Sequence, residues 1–161
     1  IGDIEVGAKY IYRTSQKIRK EGLSKTTLVR SGDLILSNSM SFGRPYIMKI
    51  DSCIHDGWLA FKDVNAELVD KEYLFYLLSS APIQNIFTSV SAGSGVKNLN
   101  KERVAGIEVA IPVSTSEQIE IAAILSKVDE SILGDQVVRK NLTKLKTGLM
   151  EDLLTGKVRT I

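Results

Sequence analysis

Ser114-Thr115-Ser116-Glu117-Gln118-Ile119-Glu120-Ile121-Ala122-Ala123-Ile124-Leu125-Ser126-Lys127-Val128 is the stretch on which the reading of this chain turns. Ser114 followed three residues later by Glu117 has the form of a capping box, in which hydroxyl and carboxylate reciprocally satisfy backbone donors at a helix start. No proline follows it to the end of the chain. Heptads written from Ile121 place Ile121, Val128, Asp135, Leu142 and Leu149 at a, and Ile124, Ser131, Val138, Leu145 and Asp152 at d. All but Asp135, Ser131 and Asp152 are apolar, and Leu125, Ile132 and Leu153 widen the stripe. Gly134 interrupts the seam at a helix cost of about 1 kcal/mol. The stripe resumes in the same heptad phase beyond it, which favours one helix over a hairpin folded at the glycine. Gly156 is a natural C-terminal stop. The pattern predicts a helix from Ser116 to Thr155, about 60 Å long at ~1.5 Å per residue. An apolar stripe on a helix of that length calls for a partner helix.

Upstream the periodicity changes. Short β-branched or aromatic runs at Tyr10–Tyr12, Leu34–Leu36, Tyr46–Ile50 and Trp58–Phe61 are bounded by Gly, Ser, Asp and Pro, and read as strands. Ser31-Gly32-Asp33 is a turn into the second of them. Ser39 to Pro45 forms a loop with one positive charge, Arg44. Asp70 can cap a helix from Lys71 to about Ser80 with Leu74, Leu77 and Leu78 on one face. Pro82 punctuates it, and a second short helix is expected over Gln84–Phe87. Ser91 to Asn98 is a glycine-containing loop, and Ile107–Ile111 reads as a final strand stopped by Pro112. The fold class expected is α+β: a small mixed α/β domain over residues 1–113, then a long helix over 114–161 that forms an antiparallel coiled coil.

The 161 residues are 43% hydrophobic and 25% charged, which excludes a disordered tail, a collagenous repeat and a disulfide-stapled mini-protein. No run of eighteen apolar residues and no secretory signal are present, and the single cysteine, Cys53, fits a reducing compartment. A cytoplasmic protein without a membrane partner is the expectation. The chain opens at Ile1 rather than Met, which reads as a fragment or a chain whose beginning lies elsewhere. Its formal charge is only +2, but the charges are unevenly placed. Lys9 to Arg30 carries seven basic residues and one acid, Glu21; Lys49 to Glu72 is acidic on balance; Arg139 to Arg159 is again basic. Such tracts suit a polyanion on one side, although solvated lysines and arginines are common on any surface.

Catalytic constellations are hard to find. His55 is the only histidine, and with Cys53 two positions away it supplies two ligands, short of a zinc site. It has no serine in a nucleophile setting, so a half-buried or hydrogen-bonded side chain is its plainer reading. Gly93-Ser94-Gly95 lacks the third glycine and preceding strand of a dinucleotide fingerprint, and Gly156-Lys157 leads to Val158 rather than to a P-loop Ser or Thr. No acid is followed two residues later by Lys, and no Asn/Asp-Pro-Pro-Tyr tetrapeptide occurs. The expectation is no catalytic residue, no metal and no cofactor.

Two motifs then carry a resemblance. Ile111-Pro112-Val113-Ser114-Thr115-Ser116-Glu117-Gln118 through Asp129 resembles the junction motif of specificity (S) subunits of type I restriction–modification systems. Leu145-Lys146-Thr147-Gly148-Leu149-Met150-Glu151-Asp152-Leu153-Leu154-Thr155-Gly156-Lys157-Val158-Arg159 resembles the end of that family's conserved helix. Gly32-Asp33-Leu34-Ile35-Leu36 and Ser94-Gly95-Val96-Lys97-Asn98-Leu99 match weaker motifs of its target recognition domain. The likeness covers nearly the whole chain, but as about half an S subunit: one recognition domain, short of its first few dozen residues, and one spacer helix. It implies sequence-specific binding of double-stranded DNA at a bipartite target, with methyltransferase (M) and restriction (R) subunits as partners. The pairing helix would be a second S-type helix or that of an identical chain. Recognition in that family is read by loops in the major groove. The DNA-binding candidates are therefore Arg13, Lys17, Arg19 and Lys20 in the densest basic tract, Ser39, Ser41 and Arg44 in the loop after a strand, and Ser94, Lys97 and Asn98 in the glycine-containing loop. The helix-pairing candidates are Ile121, Ile124, Val128, Val138, Leu142, Leu145 and Leu149. Two other classes stay open: a helical assembly module that does not read DNA, and a fragment of a nuclease or methyltransferase.

Overall fold

Leu34-Ile35-Leu36 and Tyr46-Ile47-Met48 lack the in–out alternation of a strand with one wet face, as do strands covered on both sides. The computed structural model of the chain, which describes residues 4, 7–38, 42–91 and 98–160, builds both runs into the middle of a sheet. The strands are β1 (Tyr10–Ile11), β2 (Thr27–Val29), β3 (Leu34–Ser37), β4 (Pro45–Met48), β5 (Ser52–Ile54) and β6 (Trp58–Phe61). The four-stranded sheet has the order β1-β4-β3-β6, with β1 parallel to β4 and the other pairs antiparallel. A separate antiparallel pair joins β2 to β5. Alternate residues part company, as the pleat requires. Leu34, Leu36 and Ile47 bury in one core; Ile35, Tyr46 and Met48 bury in another with Ile11, Val29 and Ile54.

The first core is roofed by helices α1 (Lys71–Ser79) and α2 (Ala81–Ser91), which contribute Phe75, Leu78, Ile83 and Phe87. Asp70 caps α1 as expected, its carboxylate accepting the Tyr73 N–H at 2.8 Å. Pro82 stands in the first turn of α2, where its missing N–H would have had no partner anyway. The helix can therefore begin at Ala81, ahead of the expected Gln84–Phe87, and it runs on to Ser91. A short helix α3 (Lys101–Ala105) follows, and the chain then runs to helix α4 (Thr115–Leu154).

One expectation needs correction, and four elements carry no signal in the sequence. Ile107–Ile111 is not a strand. Among the described residues no strand pairs with its backbone, Glu108 to Ala110 are exposed, and propensity without a ladder partner does not make a strand. β2 and β5 were not anticipated, because Thr27-Leu28-Val29 and Ser52-Cys53-Ile54 are too short and mixed to show a period. A 3-10 turn over Lys20–Lys25 and helix α3 also carry no apolar repeat in the sequence.

The chain divides into two units, Ile1–Glu120 and Ile121–Ile161, with the boundary inside α4. Within the second unit the helix continues without a break through Gly134 and ends before Gly156, whose φ is +71° and whose N–H bonds the Leu153 carbonyl at 3.3 Å. Ile124, Val128, Val138, Leu142, Leu145 and Leu149 are each 49–63% exposed on it.

Candidate nucleic-acid interface

Strand β3 leaves the sheet at Ser37 and the chain returns at Pro45. Across this hairpin the Ser37 N–H donates to the Arg44 carbonyl at 2.9 Å, and the Arg44 N–H donates to Ser37 Oγ at 3.1 Å. Arg44 thus has a clamped backbone and an exposed residue surface. Gly43 beside it has φ +72°, and an added Cβ would come within 3.0 Å of Gln84 and 3.1 Å of Phe87, so only glycine fits without displacement. The Gly43 carbonyl accepts from Gln84 Nε2 at 2.7 Å, which ties the loop to α2.

Asn38 gathers three loops. It is 7% exposed. Its N–H donates to the Gly57 carbonyl at 3.1 Å and its Nδ2 to the Asp56 carbonyl at 2.5 Å. Its own carbonyl accepts the Leu99 N–H at 3.1 Å. Asn38 Oδ1 is buried with no partner among the described residues. The β3–β4 loop, the β5–β6 turn and the segment leading into α3 therefore meet at one residue. Leu99 is fully buried, and on the other side of residues 92–97 the buried Ser91 donates its hydroxyl to the Thr88 carbonyl at 2.9 Å. Arg103 Nη1 donates to the Val90 carbonyl, which holds α3 against the end of α2.

The β5–β6 turn is equally defined. His55 Nδ1 accepts the Gly57 N–H at 2.9 Å, and the Trp58 N–H donates to the His55 carbonyl at 3.2 Å. The imidazole is 64% exposed and Asp56 beside it is fully exposed.

The expected contact residues distribute unevenly. Arg44 and Asn98 lie at this end of the sheet, each next to a residue that bonds Asn38 or its hairpin. Ser39, Ser41, Ser94 and Lys97 fall outside the described residues. Arg19 and Lys20 open the 3-10 turn, which runs into β2; Thr27 pairs with Ile54, next to His55, so this turn adjoins the same end. Arg13 does not. β1 is parallel to β4, Ile11 stands opposite Met48, and the Lys49 N–H bonds the Ile11 carbonyl at 2.9 Å, so the chain leaves β1 at the far end. Lys17 is exposed between these places. At the far end two charges are engaged: Arg30 faces Asp51 at 3.6 Å, and Lys71 Nζ donates to the Gly32 carbonyl at 2.7 Å.

Lys9, the first residue of the basic tract, is not a surface cation. Its side chain is 11% exposed, 2.5 Å from Glu72 Oε2 and 4.2 Å from the Tyr76 ring centroid. Burial works against its charge, but hydrogen bonds to Glu72 and Tyr76 outweigh that and hold its proton more tightly than usual. Tyr10 donates its hydroxyl to both Glu72 oxygens at 2.9 Å; burial first, then that acceptor, push its pKa up to about 12.

Gln118, in the first turn of α4, was not singled out by its sequence position. It is 0% exposed. Its Oε1 accepts the Asp70 N–H at 2.8 Å, and its Nε2 donates to the carbonyls of Leu68 at 3.0 Å and Pro112 at 2.8 Å. It therefore binds the start of α4 to the segment that caps α1. Asn38 and Gln118 share one reason for being missed: a polar residue that satisfies backbone groups inside a fold looks like a surface residue in a sequence. Among the described residues no cluster of three or more His, Cys, Asp or Glu could hold a metal, and no helix is long and apolar enough to cross a membrane.

Comparison with known proteins agrees with this architecture. A chain in a solved structure of the assembly and conformational transition of the type I R-M system superposes with a TM-score of 0.59 at 16% identity, over 78% of this chain and 31% of that one. The small sheet domain continued by a long helix is thus a fold found within type I R-M systems. The Type I restriction modification DNA specificity domain model matches residues 3–138, and the chain belongs to that family. Two relatives come from Methanocaldococcus jannaschii. The protein named as the putative type I restriction enzyme MjaX specificity subunit is 30% identical over 132 residues, covering 82% of this chain and 30% of that protein. The type I restriction enzyme MjaVIII specificity subunit is 25% identical over 159 residues, covering 94% of this chain and 37% of that protein. The chain spans about a third of the length of these curated relatives.

Proposed function

We propose that the protein is a DNA-reading part of a type I restriction–modification enzyme, binding double-stranded DNA without cutting or methylating it. In this reading residues 1–113 recognise one half of a bipartite target and residues 114–161 form the spacer helix. Methyltransferase and restriction subunits act at the site so chosen, in the cytoplasm. The observation that carries the reading is the convergence of three loops on Asn38 at one end of a sheet packed on both faces. Rigid backbone presenting exposed Arg44 and Asn98 suits base and phosphate contacts, which require side chains held in register with the groove. Ser39, Ser41, Ser94 and Lys97 belong to the same loops by sequence. Arg19 and Lys20 add charge at that end, where phosphates would be held.

The exposed seam of α4 supports the second half of the proposal. Ile121, Ile124, Val128, Val138, Leu142, Leu145 and Leu149 pair antiparallel with the same helix of another S-type chain or an identical copy. A two-fold axis makes that contact self-complementary.

The test of DNA reading is binding to duplex DNA across a salt series. Affinity falls steeply with salt, and Arg19→Glu with Lys20→Glu weakens all sequences together and reduces the log–log slope by about one for each phosphate no longer held. Unchanged affinity at low salt removes that tract from the interface. Methylation or cleavage by the protein alone, given S-adenosylmethionine and Mg²⁺, contradicts the non-catalytic role.

A further inference from the structure

His55 and Asp56 occupy a tightly bonded, exposed turn at the Asn38 end. The Asp56 and Gly57 carbonyls are both held by Asn38, at 2.5 Å and 3.1 Å. The imidazole lies over Gly57 so closely that a Cβ there would clash with His55 Cε1. Because Nδ1 accepts the Gly57 N–H at 2.9 Å, Nε2 is the ring nitrogen left free of the turn to act as an outward donor. Asp56 Oδ1 approaches Nδ1 only at 3.5 Å, longer than a hydrogen bond and at a fully exposed carboxylate, so the Gly57 bond is the one that engages Nδ1. The turn thus offers a donor and, one residue on, a carboxylate acceptor, both exposed on fixed backbone.

We propose that His55 and Asp56 form a donor–acceptor pair that reads a base edge in the major groove, making them specificity-determining residues of the DNA-reading function on which this inference rests. A phosphate is a poor fit, because the fully exposed Asp56 carboxylate on the same turn would repel it. A base edge with an acceptor next to a donor fits: adenine presents N7 beside its N6 amino group, and a C·G pair presents guanine O6 beside the cytosine N4 amino group. Histidine Nε2–H meets the acceptor and aspartate meets the amino hydrogen. Both A·T and C·G pairs present such an adjacent acceptor and donor, so the selected motif reports which of them stands at the position read.

The experiment is selection from a randomised duplex DNA library by the protein, with the bound fraction sequenced. His55→Asn keeps an acceptor for the Gly57 N–H, since an asparagine side chain bonds the N–H two residues on, but its shorter carboxamide N–H no longer stands where the ring's outward Nε2–H did. Asp56→Ala removes the acceptor and leaves the Asp56 carbonyl, the atom bonded by Asn38, in place. Thermal unfolding of each variant checks that the fold persists. The expected result is a selected motif in which both variants lose preference at the same one or two adjacent positions, by roughly tenfold to a hundredfold, while preference at other positions is retained. A motif unchanged in both variants overturns the proposal and leaves DNA reading standing. Uniform weakening across all sequences also overturns it, because that is the signature of a phosphate contact. No salt-sensitive binding by the unmutated protein overturns the DNA reading itself, and this inference with it. Preference lost in His55→Ala but kept in His55→Asn would assign the imidazole to holding the turn and contradict base contact.

Discussion

A buried side-chain amide is costly unless its polar atoms are answered, and both ends of Gln118 are, by Asp70, Leu68 and Pro112. Gln118→Leu keeps much of the volume and leaves those three backbone groups unpaired. It is expected to destabilise the protein by about 3 kcal/mol or more in urea unfolding, and a loss under about 1 kcal/mol would show that water replaces the amide. Glu72 governs a second residue-scale effect, through Lys9 and Tyr10. Both partners hold their protons more tightly folded than unfolded, Tyr10 at about 12 against an ordinary 10.0 and Lys9 above its ordinary 10.5. The native state therefore binds more protons above pH 10, and stability present below pH 10 is lost as pH rises toward 12. Tyr10→Phe is expected to flatten that alkaline decline in urea midpoint between pH 10 and 12. An identical decline in the variant would assign it to other groups.

Helix α4 was legible because a long period survives local interruptions: Thr115–Leu154 agrees with the expected Ser116–Thr155 within a residue at each end. Helix boundaries blur by that much in any case. The central strands were legible because their apolar runs are continuous, whereas β2 and β5, three residues each, contain too few positions to display a period. Ile107–Ile111 misled for the opposite reason, since its residues suit a strand but its backbone is given no ladder. Just beyond it the backbone is used otherwise, the Pro112 carbonyl accepting from Gln118. For α4 the prediction concerns its seam. Leu142 and Leu145 are each 59% exposed, and pairing would recover about 1.5–3 kcal/mol for each fully buried large apolar side chain. The unmutated protein is expected to sediment as a dimer at tens of micromolar, and Leu142→Glu with Leu145→Glu as a monomer. A monomer before mutation contradicts the pairing.

Over the whole molecule, a formal charge of +2 is too small to make this chain a general polyanion binder, so placement has to do what total charge cannot. The first unit has two unlike sheet ends. One carries Asn38, Arg44, the His55–Gly57 turn and Asn98, with Lys20–Lys25 beside it. At the other, Arg30 faces Asp51 and Lys71 is bonded to the Gly32 carbonyl. The basic tract therefore reads differently in space than in sequence: Lys9 is packed inside, Arg13 departs at the far end, and Arg19 and Lys20 approach the near one. The central claim is that the near end meets DNA. Amide hydrogen exchange with and without saturating duplex DNA measures it most directly. The account predicts slowed exchange at Ser37–Asn38, Phe42–Arg44, His55–Trp58 and Leu99–Lys101, with Arg30–Gly32 and Asp51 unchanged; protection confined to Arg30–Gly32 and Asp51 would contradict it.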